Sequence, residues 1–197
     1  SRQASGKRAL ISLFTRDTSL SCNAFMIVLT VKSIKVFIMK RRLENITDQK
    51  IKRSKSAAPP KGTKTHAKIV SVYDGDTCDL VIAQNNKLER HKCRLADINA
   101  PELKKGPKAE KSRDFLVWLG TGKYKAPSRF SEEAAPLSKE QLQYKLDSNK
   151  SLVHAEFHGT GRYKRPLVTL KKTETSRKTF NDLLMEKGYA KPYRKKK

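Results

Sequence analysis

With 197 residues, 37% of them hydrophobic, the chain can bury one modest core. Lysine and arginine number 44 against 19 acidic residues, a formal net charge of +25. That excess points to a polyanionic partner, nucleic acid ahead of a membrane surface. Cys22, Cys78 and Cys93 are odd in number, and with His66, His91, His154 and His158 they show no zinc spacing, so reduced thiols are expected and a zinc module is not.

In chain order, the apolar stretch Asn23 to Met39 is broken by Lys32 and Lys35, and its longest clean run, Ala24 to Leu29, is too short to span a bilayer. Leu20-Ser21-Cys22 faintly resembles a lipoprotein cleavage site. The short apolar segment before it is followed at once by Arg16 and Asp17, so secretion is disfavoured. Met39 before Lys40-Arg41-Arg42 is a candidate native start, which would leave residues 1–38 outside the working protein. Residues 40–66 offer little to bury and read as part of a basic, low-order extension over 1–66. Lys40-Arg41-Arg42 and Lys52-Arg53-Ser54-Lys55 suit either a two-part nuclear import signal or an electrostatic arm, so an intracellular, nuclear location is one expectation.

From Ala67 the pattern turns to alternation. Ile69, Val70 and Val72 lead into the turn Tyr73-Asp74-Gly75-Asp76, then Cys78, Leu80 and Ile82 alternate with polar residues, and a third strand over Lys87 to Ile98 completes a meander that Pro101 ends. Pro107 opens a helix carrying Phe115, Leu116 and Leu119. Gly120 to Pro136 reads as a loop, and Ser138 with Gln141 has capping-box spacing before a short second helix. Strands over Leu152 to Phe157 and Pro166 to Leu170 flank a Gly159-Thr160-Gly161 turn, and Phe180, Leu183 and Leu184 mark a last helix stopping at Gly188. The fold expected is α+β, mainly β: a five-stranded OB-type barrel with two or three helices over 67–193, an insertion at about 120–150, and a basic tail at 194–197.

Three segments collect charge at strand ends: Asp74-Gly75-Asp76-Thr77, Arg94 through Glu102, and Arg162-Tyr163-Lys164-Arg165. Each alone is an ordinary turn or rim. In this order they resemble the staphylococcal nuclease family, whose members carry D-G-D-T, R-L-x-x-x-D-x-P-E and Y-G-R on an OB barrel. Phe180-Asn181-Asp182-Leu183-Leu184 with Gly188-Tyr189-Ala190-Lys191 resembles that family's last helix and exit.

The resemblance implies that Asp76, Asn99 and the Ala100 carbonyl hold Ca2+ or another divalent cation. It makes Glu102 the general base on an attacking water, sets Arg94 and Arg165 on the phosphate, and gives Tyr163, Arg162, Lys164 and Lys191 to nucleic-acid binding. Elementary chemistry agrees: a hard cation takes oxygen ligands, hydrolysis needs an activated water, and an arginine fork matches phosphate oxygens. The sequence departs from the pattern in four places. Asn99 stands where the family has an aspartate, Lys164 where it has glycine, the 120–150 connection is long, and the chain stops at Lys197 where the best-known members continue into a further helix. The expected function is a metal-dependent nuclease of low sequence specificity on DNA or RNA, monomeric, with no membrane or protein partner. A binding module without turnover is the alternative, and a basic packaging protein the third reading.

Overall fold

The structure, a computed structural model, describes residues 33–54, 57–122 and 136–193. Residues 1–32, including Cys22, lie outside the described residues, as do most of the expected 120–136 loop and the Arg194 to Lys197 tail. The chain divides into two units, Ser1–Met39 and Lys40–Lys197. In the first, the described residues 33–39 are helical. The rest concerns the second.

Helical residues 40–44 (α1) and a 3-10 turn at Asp48–Lys50 come first. Then follow β1 (Lys64–Asp74), β2 (Thr77–Gln84), β3 (Lys87–Leu95), β4 (Ile98–Asn99), a 3-10 turn at Leu103–Lys105, α2 (Pro107–Gly120), α3 (Lys139–Asp147), β5 (Val153–Thr160), β6 (Pro166–Lys171), α4 (Phe180–Glu186) and β7 (Lys191–Pro192). Strands β1-β2-β3-β6-β5 form a closed barrel, with β3 and β6 the parallel pair, and β4 with β7 makes a separate two-stranded sheet. This is the five-stranded α+β barrel that the alternation implied.

Inward positions recur every second residue, as a pleated strand requires: Ala67 and Ile69, Cys78, Leu80 and Ile82, Cys93 and Leu95, Val153, Ala155 and Phe157, Val168 and Leu170. Phe115, Leu116 and Leu119 of α2 join that core, as do Phe180 and Leu184 of α4. Pro107 stands at the first helical position of α2, and Ser138 accepts from the Gln141 amide while the Gln141 side chain accepts from Ser138, the reciprocal cap read from the spacing.

Three details differ from the sequence expectation. The Gly159-Thr160-Gly161 turn lies later, because β5 runs to Thr160 and the reversal is made by a 3-10 turn at Arg162–Lys164. Asp97, expected inside a strand, has φ +58 and separates β3 from β4. The basic segment after residue 40 packs on the barrel, where composition alone showed little to bury. Leu43 is buried with Val70 and Val81, and Ile46 and Ile51 pack against them. Burying a leucine of this kind contributes about 2 kcal/mol. This covering buries Val81 of β2, a strand whose residues Thr77 to Ile82 are all buried.

Candidate active site

The hairpin between β1 and β2 turns at Gly75-Asp76. A Cβ at Gly75 would meet the Ser112 Oγ at 1.8 Å and the Ala100 Cβ at 2.9 Å, so glycine is needed here for close approach to α2 and to the segment after β4. The turn therefore does more than reverse the chain: it presses Asp76 against the Ala100 backbone.

Asp76 is 2% exposed and its carboxylate is fully engaged. Arg94 Nη1 donates to Oδ1 at 2.6 Å, the Thr77 hydroxyl donates to the same oxygen at 3.0 Å, and the Ala100 N–H donates to Oδ2 at 2.7 Å. Arg94 Nη2 donates to the Asn99 side-chain oxygen at 2.9 Å. Thr77 and Arg94 are register partners on β2 and β3, which is why Arg94 reaches this carboxylate. Burial and, next, the Asp74 carboxylate push the Asp76 pKa up to about 6, against the Ala100 N–H, Arg94 and Thr77.

Three separate stretches, at Asp76-Thr77, Arg94 and Asn99-Ala100, are thus brought together by direct bonds. Lys191 joins them, since it pairs with Asn99 between β7 and β4, and it is exposed. Glu102, two residues beyond Ala100, is exposed ahead of the Leu103–Lys105 turn, and its carboxyl takes no hydrogen bond among the described residues. Arg165 immediately precedes β6, whose Leu167 is the register partner of Arg94. Its Nε is buried and makes no hydrogen bond, and its guanidinium carbon lies 5.7 Å from the centre of the Tyr163 ring. Tyr163 is 77% exposed and, like Lys164, has positive φ, at +61 and +55. The side chain of Arg162 lies outside the described residues. No hydrogen bond or ion pair joins the Glu102 or Arg165 side chain to the Asp76–Arg94 group among the described residues.

A model of the family described as staphylococcal nuclease homologue matches residues 92–197, more than half of the chain. The chain belongs to the staphylococcal nuclease homologue family. The matched residues include Arg94, Asn99, Glu102 and Arg165 and leave out the hairpin that carries Asp76. A search of curated proteins finds no match. Membership gives the barrel a nuclease-type or nucleic-acid-binding role. No helix among the described residues is long and apolar enough to cross a membrane.

The groups expected from the sequence to hold a cation are all oxygen, the Asp76 carboxylate, the Asn99 amide oxygen and the Ala100 carbonyl, and the first two meet at Arg94. That chemistry fits a hard divalent cation, with one carboxylate in place of the usual several. Among the described residues no group of three or more His, Cys, Asp or Glu side chains could hold a metal ion. Sequence reasoning placed Thr77 in the Asp74–Thr77 motif but assigned it no role, and assigned Ser112 no role in the site. The Thr77 role has a signal, since a β2 residue directly across from Arg94 shares its face. The Ser112 role has none, because it depends on how α2 crosses the hairpin.

Proposed function

We propose that this protein is a metal-dependent nuclease that hydrolyses phosphodiester bonds in DNA or RNA with low sequence specificity. The observation that carries the reading is the bonded group of Asp76, Arg94, Asn99 and Ala100 inside a family barrel whose formal charge excess is large. Arg165 supports it, because a buried guanidinium Nε without an acceptor is a donor available to an anion.

In this reading Asp76, the Asn99 oxygen and the Ala100 carbonyl would hold the cation, typically Ca2+, which when bound supplies positive charge beside the phosphate and lowers the pKa of a bound water. Arg94 exchanges its carboxylate partner for phosphate oxygens, and Arg165 donates to the same phosphate, two planar forks compensating the charge that builds on phosphorus. The same reading makes Glu102, which is exposed and unbonded, the general base that takes a proton from the attacking water. Tyr163 offers an exposed ring for stacking, and Arg162, Lys164 and Lys191 add contacts to the strand backbone.

One observation favours a binding module without turnover: Arg94 bridges Asp76 to Asn99, and Asn99 lacks the charge of an aspartate, so a cation must displace a guanidinium with only one carboxylate to attract it. Incubating the purified protein with DNA and RNA oligonucleotides, with calcium or with a chelator, separates the two. The nuclease reading expects calcium-dependent cleavage that Glu102→Gln abolishes. Tight binding with no cleavage in any divalent cation would select the module, and undiminished cleavage by Glu102→Gln would remove Glu102 as base.

A further inference from the structure

Beside Lys92 of β3 a second polar group is assembled around Tyr73. Asp79 is 0% exposed and one of its oxygens accepts from the Tyr73 hydroxyl at 2.9 Å, from Arg53 Nε at 3.3 Å and from Arg90 Nε at 2.8 Å. Arg53 Nη2 also donates to the Tyr73 hydroxyl. The Lys92 ammonium stands 4.1 Å from the centre of the Tyr73 ring and the Arg53 guanidinium carbon 5.6 Å from it. Arg90 is taken up by Asp48 and by the Asp48 and Ile51 carbonyls, so its charge is spent holding the segment after α1 to the barrel. Lys92 is not: no carboxylate pairs with it among the described residues. The Arg53 side chain is half exposed.

The alternation of β3 puts Lys92 on the same face as Arg94, two residues away, a separation of about 6.7 Å along the strand. That step is of the size that separates neighbouring phosphates on an extended nucleotide strand. Arg165 precedes β6, the parallel neighbour of β3, whereas Tyr73 lies on β1 and bonds Arg53 beside Asp79 of β2. Resting on the nuclease reading above, the geometry points to a second phosphate subsite formed by Lys92 and Arg53 around Tyr73, which takes the backbone phosphate adjacent to the one held by Arg94. Tyr73 is its positioning residue: Asp79 fixes the hydroxyl, the ring holds the ammonium, and the hydroxyl steers the guanidinium. The subsite recognises backbone charge and carries no base preference.

The test is binding of fluorescent thymidine hexanucleotide and dinucleotide to full-length Glu102→Gln protein in calcium, with and without Lys92→Ala. The hexanucleotide affinity is expected to fall about five- to tenfold and the slope of log affinity against log salt by about one, so that the hexanucleotide-to-dinucleotide ratio drops. Arg53→Ala moves the ratio in the same direction, and thermal melts of both variants separate this from a loosened fold. An unaltered ratio and slope in Lys92→Ala, with the parent still binding the hexanucleotide, overturns the subsite alone. Equal loss for both ligands overturns it as well, as general electrostatics. A parent that binds no hexanucleotide overturns the nucleic-acid reading and the subsite with it.

Discussion

Around Asp76 every carboxylate oxygen is engaged and the carboxylate is closed from solvent, whereas Glu102 stands exposed without a hydrogen bond and Arg165 keeps a buried Nε with no acceptor. Both regions belong to one candidate site, yet one is satisfied by the protein itself and the other is left for a ligand. Satisfied groups stabilise the fold and resist change, while an exposed carboxyl such as Glu102 costs little to keep and the buried Arg165 Nε carries a desolvation cost that an incoming anion would relieve. Substitution in the first region should therefore register in stability, and in the second in turnover.

The sharpest form of that contrast is Glu102→Gln, expected to lower kcat by about 10²–10⁴-fold while stability changes by less than about 0.5 kcal/mol. Steady-state cleavage of a labelled oligonucleotide and urea unfolding measure the two. Stability loss with retained turnover would reverse the assignment of the two regions. Arg94→Ala should do both kinds of damage, because it leaves Asp76 buried without its ion-pair partner. A loss of about 3 kcal/mol in urea unfolding is expected alongside weakened phosphate binding.

The carboxylate itself gives a pH signature. Burial and Asp74 hold the Asp76 pKa at about 6 against an ordinary value near 3.8, so the folded state binds the proton more tightly than the unfolded chain does. Stability from this group is present at low pH and is lost as pH rises from about 4 to 6. The linkage corresponds to about 2–3 kcal/mol, less whatever solvent reaches the site. Asp76→Asn should flatten that part of the stability profile in calcium-free buffer, and an unchanged profile would place the titration elsewhere.

The smallest effect concerns the loose region. Lys164 occupies a left-handed conformation at φ +55, next to Tyr163 at +61. Side chains there carry a backbone cost that glycine avoids, so Lys164→Gly should stabilise the protein by about 0.5–1 kcal/mol in thermal unfolding. A loss of stability would show that the lysine stem packs usefully in the turn.

Much of this was legible in the chain. Alternation over 67–98, the proline after Ala100 and the Ser138–Gln141 spacing are local signals, and local signals fix strands, stops and caps. The joint order of the three charged segments carried the family resemblance, and the structure bonds two of them together through Asp76, Arg94 and Ala100. What escaped depends on distance along the chain. Leu43 meets Val70 and Val81, and Arg90 meets Asp48 and Ile51, partners that no window of sequence contains. The Tyr73 group had a partial signal in the run Arg90, Lys92, Arg94, which by strand period shares one face. The Asp-Gly-Asp turn looked ordinary because nothing in it announces that α2 and Ala100 close upon Gly75.

The central claim is that Asp76, Asn99 and Ala100 accept a cation when Arg94 turns to phosphate. A crystal structure with saturating calcium and an uncleavable dinucleotide tests it most directly. The account predicts an ion bound by the Asp76 carboxylate, the Asn99 oxygen and the Ala100 carbonyl, with Arg94 on the phosphate. Arg94 still bonded to Asp76 and Asn99, with no ion between them, would contradict it.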